Sequence, residues 1–209
     1  MMKKSVQTIE GKRLPLAEDF YSIQGEGYHT GKAAYFVRLG GCDVGCSWCD
    51  SPETWDAEKF PLIKTDDIVG RIISSGSDSV VITGGEPLMW NLDYLCSLLA
   101  KNKIYNYLET SGVHPLTGKW HWICLSPKRN REPVHEICKM ADELKVVIRE
   151  RTDFEWAEKI RRQVNKKCKL FLQPEWNSFE KIIPEIVDFV KKNSVWRISL
   201  QAHKYMNIP

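Results

Sequence analysis

The chain is 209 residues long, with 43% hydrophobic and 27% charged residues, a balance that argues against a disordered chain and for a globular fold able to bury a core without disulfides. No apolar run approaches the roughly 20 residues that span a bilayer. A formal charge of +3, with the thirty basic residues interspersed among acids, does not make a nucleic-acid surface.

The first residues, "MMKKSVQTIEGKR", carry basic side chains with no apolar stretch after them, which argues against a secretory leader and for the cytoplasm. The run 33–39 ("AAYFVRL") predicts the first strand. It leads into "GGCDVGCSWCDS" (40–51), which packs three cysteines into eight positions. A helical pattern follows at 65–75, then a strand at 79–83 that runs into "TGGEP", and a helix at 91–102 with Asn91 as its expected cap. Strands are predicted at 105–109 and 122–126. The link between them, 111–120, is shorter than a helical crossover requires, so either the helix is lost or the pair is not parallel. A strand at 144–148 precedes a helix at 152–164 opened by a Thr152/Glu155 capping box. The densest basic run, "KKCK" (166–169), is expected at a solvated edge. The last elements are a strand at 169–173, a helix from 178 to about 192 that contains Pro184, and a strand at 196–200. Strands alternating with helices predict an α/β fold: a shortened, partly open (β/α) barrel, below the roughly 250 residues of an eight-stranded one, in a single domain over 1–209.

Seven cysteines is an odd count, and in a reducing compartment a disulfide framework is not expected. Cys96, Cys124, Cys138 and Cys168 stand in apolar contexts and are expected in the core. Cys42, Cys46 and Cys49 are different, because the spacing CxxxCxxC in a glycine-rich loop turns three soft ligands toward one centre. Three readings follow from the residues. A structural zinc would need a fourth ligand from afar, such as Cys124 or His114. The Cys46/Cys49 pair could serve redox chemistry. A [4Fe-4S] cluster with three cysteine ligands would keep one iron open for a substrate or cofactor. The two glycines of "TGGEP", directly after a strand, expose backbone groups and admit a ligand, although a plain strand-to-turn exit also accounts for them.

"CDVGCSWC", with Trp48 just before the last cysteine, and "ITGGEPL" (82–88) resemble the two signature elements of the radical S-adenosylmethionine superfamily. "FYSIQGEGYHTG" (20–31), "CDVGCSWCDS", "TGGEP", "ETSG" (109–112), "LSPK" (125–128), "LQPEW" (172–176) and "QAHKY" with a final "IP" resemble, in this order, the 7-carboxy-7-deazaguanine synthase family. The resemblance implies a lyase that converts 6-carboxy-5,6,7,8-tetrahydropterin to 7-carboxy-7-deazaguanine and ammonia, in queuosine and 7-deazapurine biosynthesis. It implies that Cys42, Cys46 and Cys49 hold a [4Fe-4S] cluster and that Trp48, Cys49, Asp50, Gly85, Ser126, Pro127 and Lys128 bind S-adenosylmethionine. Ile23, Gln24, Gly25, Arg38, Thr83, His203 and Pro209 would then bind the pterin, Arg38 through the substrate carboxylate and Pro209 through its own. Mg2+ is implied at Ser51, where the family usually has threonine; lacking the methyl, the serine hydroxyl rotates more freely. A homodimer and an electron donor such as flavodoxin are further implications, with no nucleic acid or membrane partner. The competing readings are a glycyl-radical activating enzyme, which would not need "SIQGEG" or a final proline, and a zinc-stapled binding module without catalysis.

Overall fold

The computed structural model describes Thr8 and residues 10–209; residues 1–7 and 9, on which part of the leader reading rests, lie outside the described residues. Nine strands make one sheet: β1 (Arg13–Ile23), β2 (Ala33–Leu39), β3 (Leu62–Lys64), β4 (Ser79–Gly84), β5 (Tyr105–Thr110), β6 (Trp122–Leu125), β7 (Glu143–Ile148), β8 (Lys169–Pro174) and β9 (Trp196–Ile198). Their order is β3-β1-β2-β4-β5-β6-β7-β8-β9. From β2 to β9 each neighbouring pair is parallel, and β1 runs antiparallel to both of its neighbours. β3 and β9 stand at opposite edges, so the sheet does not close. This is the partly open α/β arrangement that the alternating pattern predicts.

The helices are α1 (Thr65–Ser74), α2 (Asp93–Lys101), α3 (His135–Met140), α4 (Thr152–Arg161), α5 (Phe179–Lys192) and α6 (Ala202–Met206). Side chains alternate along a strand, and the two faces of this sheet differ accordingly. Val37, Leu39, Val80, Ile82, Leu108, Leu144, Val146 and Leu172 point to one face, where they form a continuous core with Ile68, Ile72, Leu95, Leu99, Ile160, Ile182 and Ile186 of the helices. The opposite face carries Phe36, Arg38, Val81, Thr83, Glu109, Lys145, Val147 and Gln173, all of which line one cavity.

The link at 111–120 resolves in favour of a lost crossover helix, since β5 and β6 pair in parallel. Its backbone is held without a helix: Gly118 N donates to Asp93 Oδ1 at 2.7 Å, Leu92 N donates to Thr117 Oγ1 at 3.1 Å, and Asn106 Nδ2 donates to Lys119 O at 2.8 Å. The two expected caps are displaced. Arg151, not Thr152, occupies the N-cap of α4 without a side-chain bond, because Thr152 Oγ1 donates to Glu150 Oε1 at 2.6 Å and Asp153 accepts the N–H groups of Arg149 and Glu150. Leu92 stands at the N-cap of α2, with Asn91 Oδ1 still accepting from Asp93 N at 2.9 Å. Pro184 sits inside α5; both it and Glu180, whose carbonyl it leaves without a donor, are exposed, so water serves in its place. Strands β1 and β3 and the short helices α3 and α6 add to the predicted elements. The four scattered cysteines are buried, and Lys166, Lys167 and Lys169 are exposed, both as expected.

Candidate active site

The cysteine loop begins where β2 ends, and "TGGEP" begins where the adjacent β4 ends, with Leu39 and Gly84 in register. The two motifs are hydrogen-bonded to each other: Gly85 N donates to Leu39 O at 2.9 Å and Glu86 N to Gly41 O at 2.8 Å. The glycines are required by this contact. A Cβ on Gly84, which has φ +141°, would come within 2.1 Å of Leu39 O, and one on Gly85 within 2.4 Å of Gly41 O. They admit the cysteine loop's own backbone, and Gly85 also faces the cavity. Glu86, 1% exposed, fastens the next strand end. It accepts from Leu88 N at 3.0 Å, Thr110 Oγ1 at 2.6 Å and Ser111 N at 2.8 Å, and from the Ser111 hydroxyl.

Above these strand ends lies a cavity of about 370 Å³, within the size range of small-molecule sites and in the usual place for a parallel sheet. Cys42, Cys46 and Cys49 all line it, as do Trp48, Asp50, Ser51, Gly85, Ser126 and Lys128 on the same side. Ile23, Gln24, Gly25, Arg38, Thr83, His203 and Pro209 line it as well. Of the residues that the family resemblance assigns to cluster, cofactor, pterin or Mg2+, Pro127 is the one that does not border the cavity.

The donor set suits an iron–sulfur cluster. All three cysteines are free thiols, and burial pushes the Cys42 and Cys46 thiols up, an effect that a bound cationic centre would offset. Cys49 Sγ accepts from Ser51 N and from Trp55 Nε1, each at 3.4 Å. Of the distant zinc ligands considered from sequence, His114 reaches the cysteine loop but its Nε2 pairs with Asp43 at 2.8 Å and it does not border the cavity, while Cys124 is buried away from that cavity. Lys128 Nζ lies 5.0 Å from the centre of the Trp48 ring and donates to Ser126 Oγ at 2.8 Å, which joins the two stretches assigned to cofactor binding.

Part of the cavity wall is charged. Lys145, 4% exposed, donates to Glu26 Oε2 at 2.5 Å and to Glu109 Oε2 at 2.9 Å. Burial alone would raise the Glu26 carboxyl; the charge and hydrogen bond of Lys145, with the Gln201 amide and His203, more than offset it and hold it at about 2. Burial likewise works to lower the Lys145 ammonium, and Glu109 and Glu26 more than offset it, so that it stays well above its ordinary value. Gln24 Nε2 donates to Glu109 Oε1 at 3.3 Å, and Gln201 Nε2 to Glu26 Oε1 at 2.9 Å. Glu26, Glu109, Lys145 and Gln173 were not singled out from the sequence, although Glu26, Glu109 and Gln173 lie inside quoted motifs. Arg38 donates to Glu18 Oε1 at 2.5 Å and to Ser51 Oγ at 3.4 Å, which sets a cation and a hydroxyl side by side. The C-terminal segment is fastened to the cavity wall: Ala202 N donates to Gly25 O at 2.8 Å, and Ser22 Oγ to Pro209 O at 3.1 Å.

A strand-end cavity with three cysteines from one loop is the arrangement of a radical S-adenosylmethionine protein, and the model of the radical SAM superfamily matches residues 36–128. The chain is 51% identical to the 7-carboxy-7-deazaguanine synthase of Flavobacterium psychrophilum over the whole of both chains. It is 45% identical to that of a Synechocystis species over 93% of each. The crystal structure of QueE from Escherichia coli superposes with a TM-score of 0.82 at 31% identity, over 93% of this chain and 97% of that one. The chain belongs to the 7-carboxy-7-deazaguanine synthase family.

Proposed function

We propose that the protein converts 6-carboxy-5,6,7,8-tetrahydropterin to 7-carboxy-7-deazaguanine with release of ammonia, in queuosine or 7-deazapurine biosynthesis, and that residues 1–209 work as one radical SAM domain. The observation that carries this is a single cavity lined both by three thiols and by the Glu26–Lys145–Glu109 ion-pair group. Cys42, Cys46 and Cys49 would hold the cluster, and Trp48, Asp50, Gly85, Ser126 and Lys128 would bind S-adenosylmethionine; together these groups would supply one-electron radical chemistry.

The chain's own residues bind and orient. Glu26, kept anionic by Lys145, and Glu109 present carboxylate oxygens to the N–H donors of a pterin, and Gln24 offers an amide. Phe20 and Phe36, stacked with ring centres 5.3 Å apart, give the ring an apolar wall next to Val81 and Val147. Arg38 would pair with the substrate carboxylate, and the Ser51 hydroxyl beside it would serve as a ligand for Mg2+. Segment 201–209 folds over Gly25 and would exclude water, and burial pushes His203 down. A homodimer is supported by Tyr21, Tyr28 and Tyr105, each with about half its surface exposed. Among the described residues no helix is long and apolar enough to cross a membrane; a cytoplasmic location and a flavodoxin-type electron donor belong to the same proposal.

The test is anaerobic turnover after cluster reconstitution, with S-adenosylmethionine, reductant, Mg2+ and 6-carboxytetrahydropterin, followed by mass spectrometry. Product from the wild type and none from Cys46→Ala is expected. Cleavage of S-adenosylmethionine without 7-carboxy-7-deazaguanine would overturn the substrate and bring forward a glycyl-radical activase.

A further inference from the structure

Behind the charged wall lies a second cavity of about 10 Å³, lined by Gln24, Glu26, His29, Glu109, Trp122 and Glu143 among others. Gln24, Glu26 and Glu109 border both cavities, so one layer of side chains separates them. Two of its lining residues carry buried polar atoms with no hydrogen-bond partner in the protein: Glu143 Oε1 and His29 Nε2. Glu143 is 3% exposed. A buried carboxylate oxygen left unpaired is costly, and this volume is room for one water, whose usual partners are two to four polar atoms.

The other oxygen of Glu143 holds the substrate-facing loop. Oε2 accepts from Tyr28 N at 3.1 Å and from Trp122 Nε1 at 3.1 Å. Oε1 lies against Gly27, where a Cβ would come within 2.0 Å of it. Gly27 N donates to Ser199 Oγ at 2.9 Å, and Ser199 Oγ to Gln173 Oε1 at 2.8 Å. Thus the residues directly after Gln24, Gly25 and Glu26 are fastened to β7 and β8. His29 closes the loop, stacked on Tyr107 with ring centres 4.6 Å apart and edge-on to Trp122 at 4.8 Å.

We propose that Glu143 and His29, joined through one buried water, are positioning residues that share a proton and hold the 24–28 loop in its substrate-binding form. This rests on the pterin reading for its kinetic consequences and on geometry for the pair itself. The groups facing Glu143 are Lys145 on its own strand, Glu109 on β5, Cys124 on β6, Glu26 and His29 on the loop, and Cys168 and Asp142 beside the strand starts; Lys169, opposite in the β7–β8 register, is exposed. Those facing His29 are Lys32, Glu109, Asp142, Tyr28 and Tyr107. Burial pushes Glu143 up to about 7, with Lys145 acting against it and Glu109 with it, while burial and Lys32 push His29 down. Below that value Glu143 is neutral and its Oε1–H donates to the water. Above it a third carboxylate charge joins Glu26 and Glu109 against the single ammonium of Lys145, and the pull of Glu143 on Lys145 loosens the wall.

The kinetic test is the pH dependence of KM for the pterin between pH 6 and 8.5 in the wild type, Glu143→Gln and His29→Phe. The wild-type KM is expected to rise at least fivefold through about pH 7 while KM for S-adenosylmethionine stays level. Glu143→Gln, which keeps an acceptor for Tyr28 N and Trp122 Nε1, should retain the low KM and flatten the profile. His29→Phe, which keeps the ring stack, should raise KM at low pH. A profile in Glu143→Gln that matches the wild type would overturn the proposal. The pair is read without turnover by 15N NMR of the His29 ring in the full chain: an inflection near pH 7 that disappears in Glu143→Gln is expected, and one that persists would overturn it. Failure to form product in the wild type, with the inflection present, would sink the pterin assignment and leave the pair standing.

Discussion

Replacing Lys145 by Met removes the single cation that two cavity-wall carboxylates share while keeping the length of the side chain. Glu26 reports the size of the effect. Its carboxyl is held at about 2 against an ordinary 4.5, which corresponds to about 3 kcal/mol at roughly 1.4 kcal/mol per pH unit. Breaking one side of a buried ion pair costs about 3–5 kcal/mol, so the two routes agree. The sign with pH is specific. In the wild type the folded value lies below the unfolded one, so the stabilisation is present above pH 4.5 and lost as pH falls from there toward 2. In Lys145→Met burial is no longer offset, and the folded value moves above 4.5. The variant then keeps its stability below 4.5 and loses it as pH rises through the raised value. Urea unfolding of the full chain followed by tryptophan fluorescence, at pH 5 and pH 8 under anaerobic conditions, should give a loss of about 3–5 kcal/mol at pH 8 and a distinctly smaller one at pH 5. A loss below about 1 kcal/mol at pH 8, the range of an exposed ion pair, or one equal at both pH values, would refute the account of Glu26.

Trp55→Phe removes the indole N–H that points at Cys49 Sγ; hydrogen bonds to cluster sulfurs raise the reduction potential, so EPR-monitored potentiometry should show the variant's midpoint moved to a more negative value with iron content unchanged. Gly85→Ala places a methyl within 2.4 Å of Gly41 O and 2.8 Å of Cys42 Cβ, so the cysteine loop must shift. Iron and sulfide bound per chain after reconstitution should fall severalfold, with far-UV circular dichroism unchanged.

The parts of the site written in consecutive residues were legible. The CxxxCxxC loop and "TGGEP" each fit in a dozen residues or fewer, and both sit at the ends of strands that the apolar pattern located, β2 from 33 to 39 and β4 from 79. The edge strands were harder to see. β1 contains Pro15 and a bulge between Leu16 and Glu18 that interrupts the alternation, and β3 is three residues long. Neither leaves a two-residue period long enough to read. The cap at Thr152 moved because Glu150, Thr152 and Asp153 can satisfy the same turn in more than one way, and Arg129, 21 to 24 positions earlier in the chain, bonds all three.

The charged wall had a signal of another kind. In "ELKVVI" Glu143, Lys145 and Val147 fall on one face, with Leu144, Val146 and Ile148 on the other, and the second set is 0–1% exposed. A strand whose outer face met water would carry its lysine exposed; a lysine at an alternating position in an otherwise apolar central strand is a charge inside the protein, and it must have anionic partners. What period alone could not name was those partners. Glu26 follows β1 and Glu109 ends β5, separated from Lys145 by 119 and 36 positions. They meet because β5, β6 and β7 lie side by side and because Ala202 and Ser199, far down the chain, fasten the loop after β1 across the open mouth of the sheet. The strand placement of Lys145 thus follows from alternation, whereas the identity of its two carboxylates follows from strand order and loop closure, which is why the charged part of the cavity wall needed the fold while the cysteine loop did not.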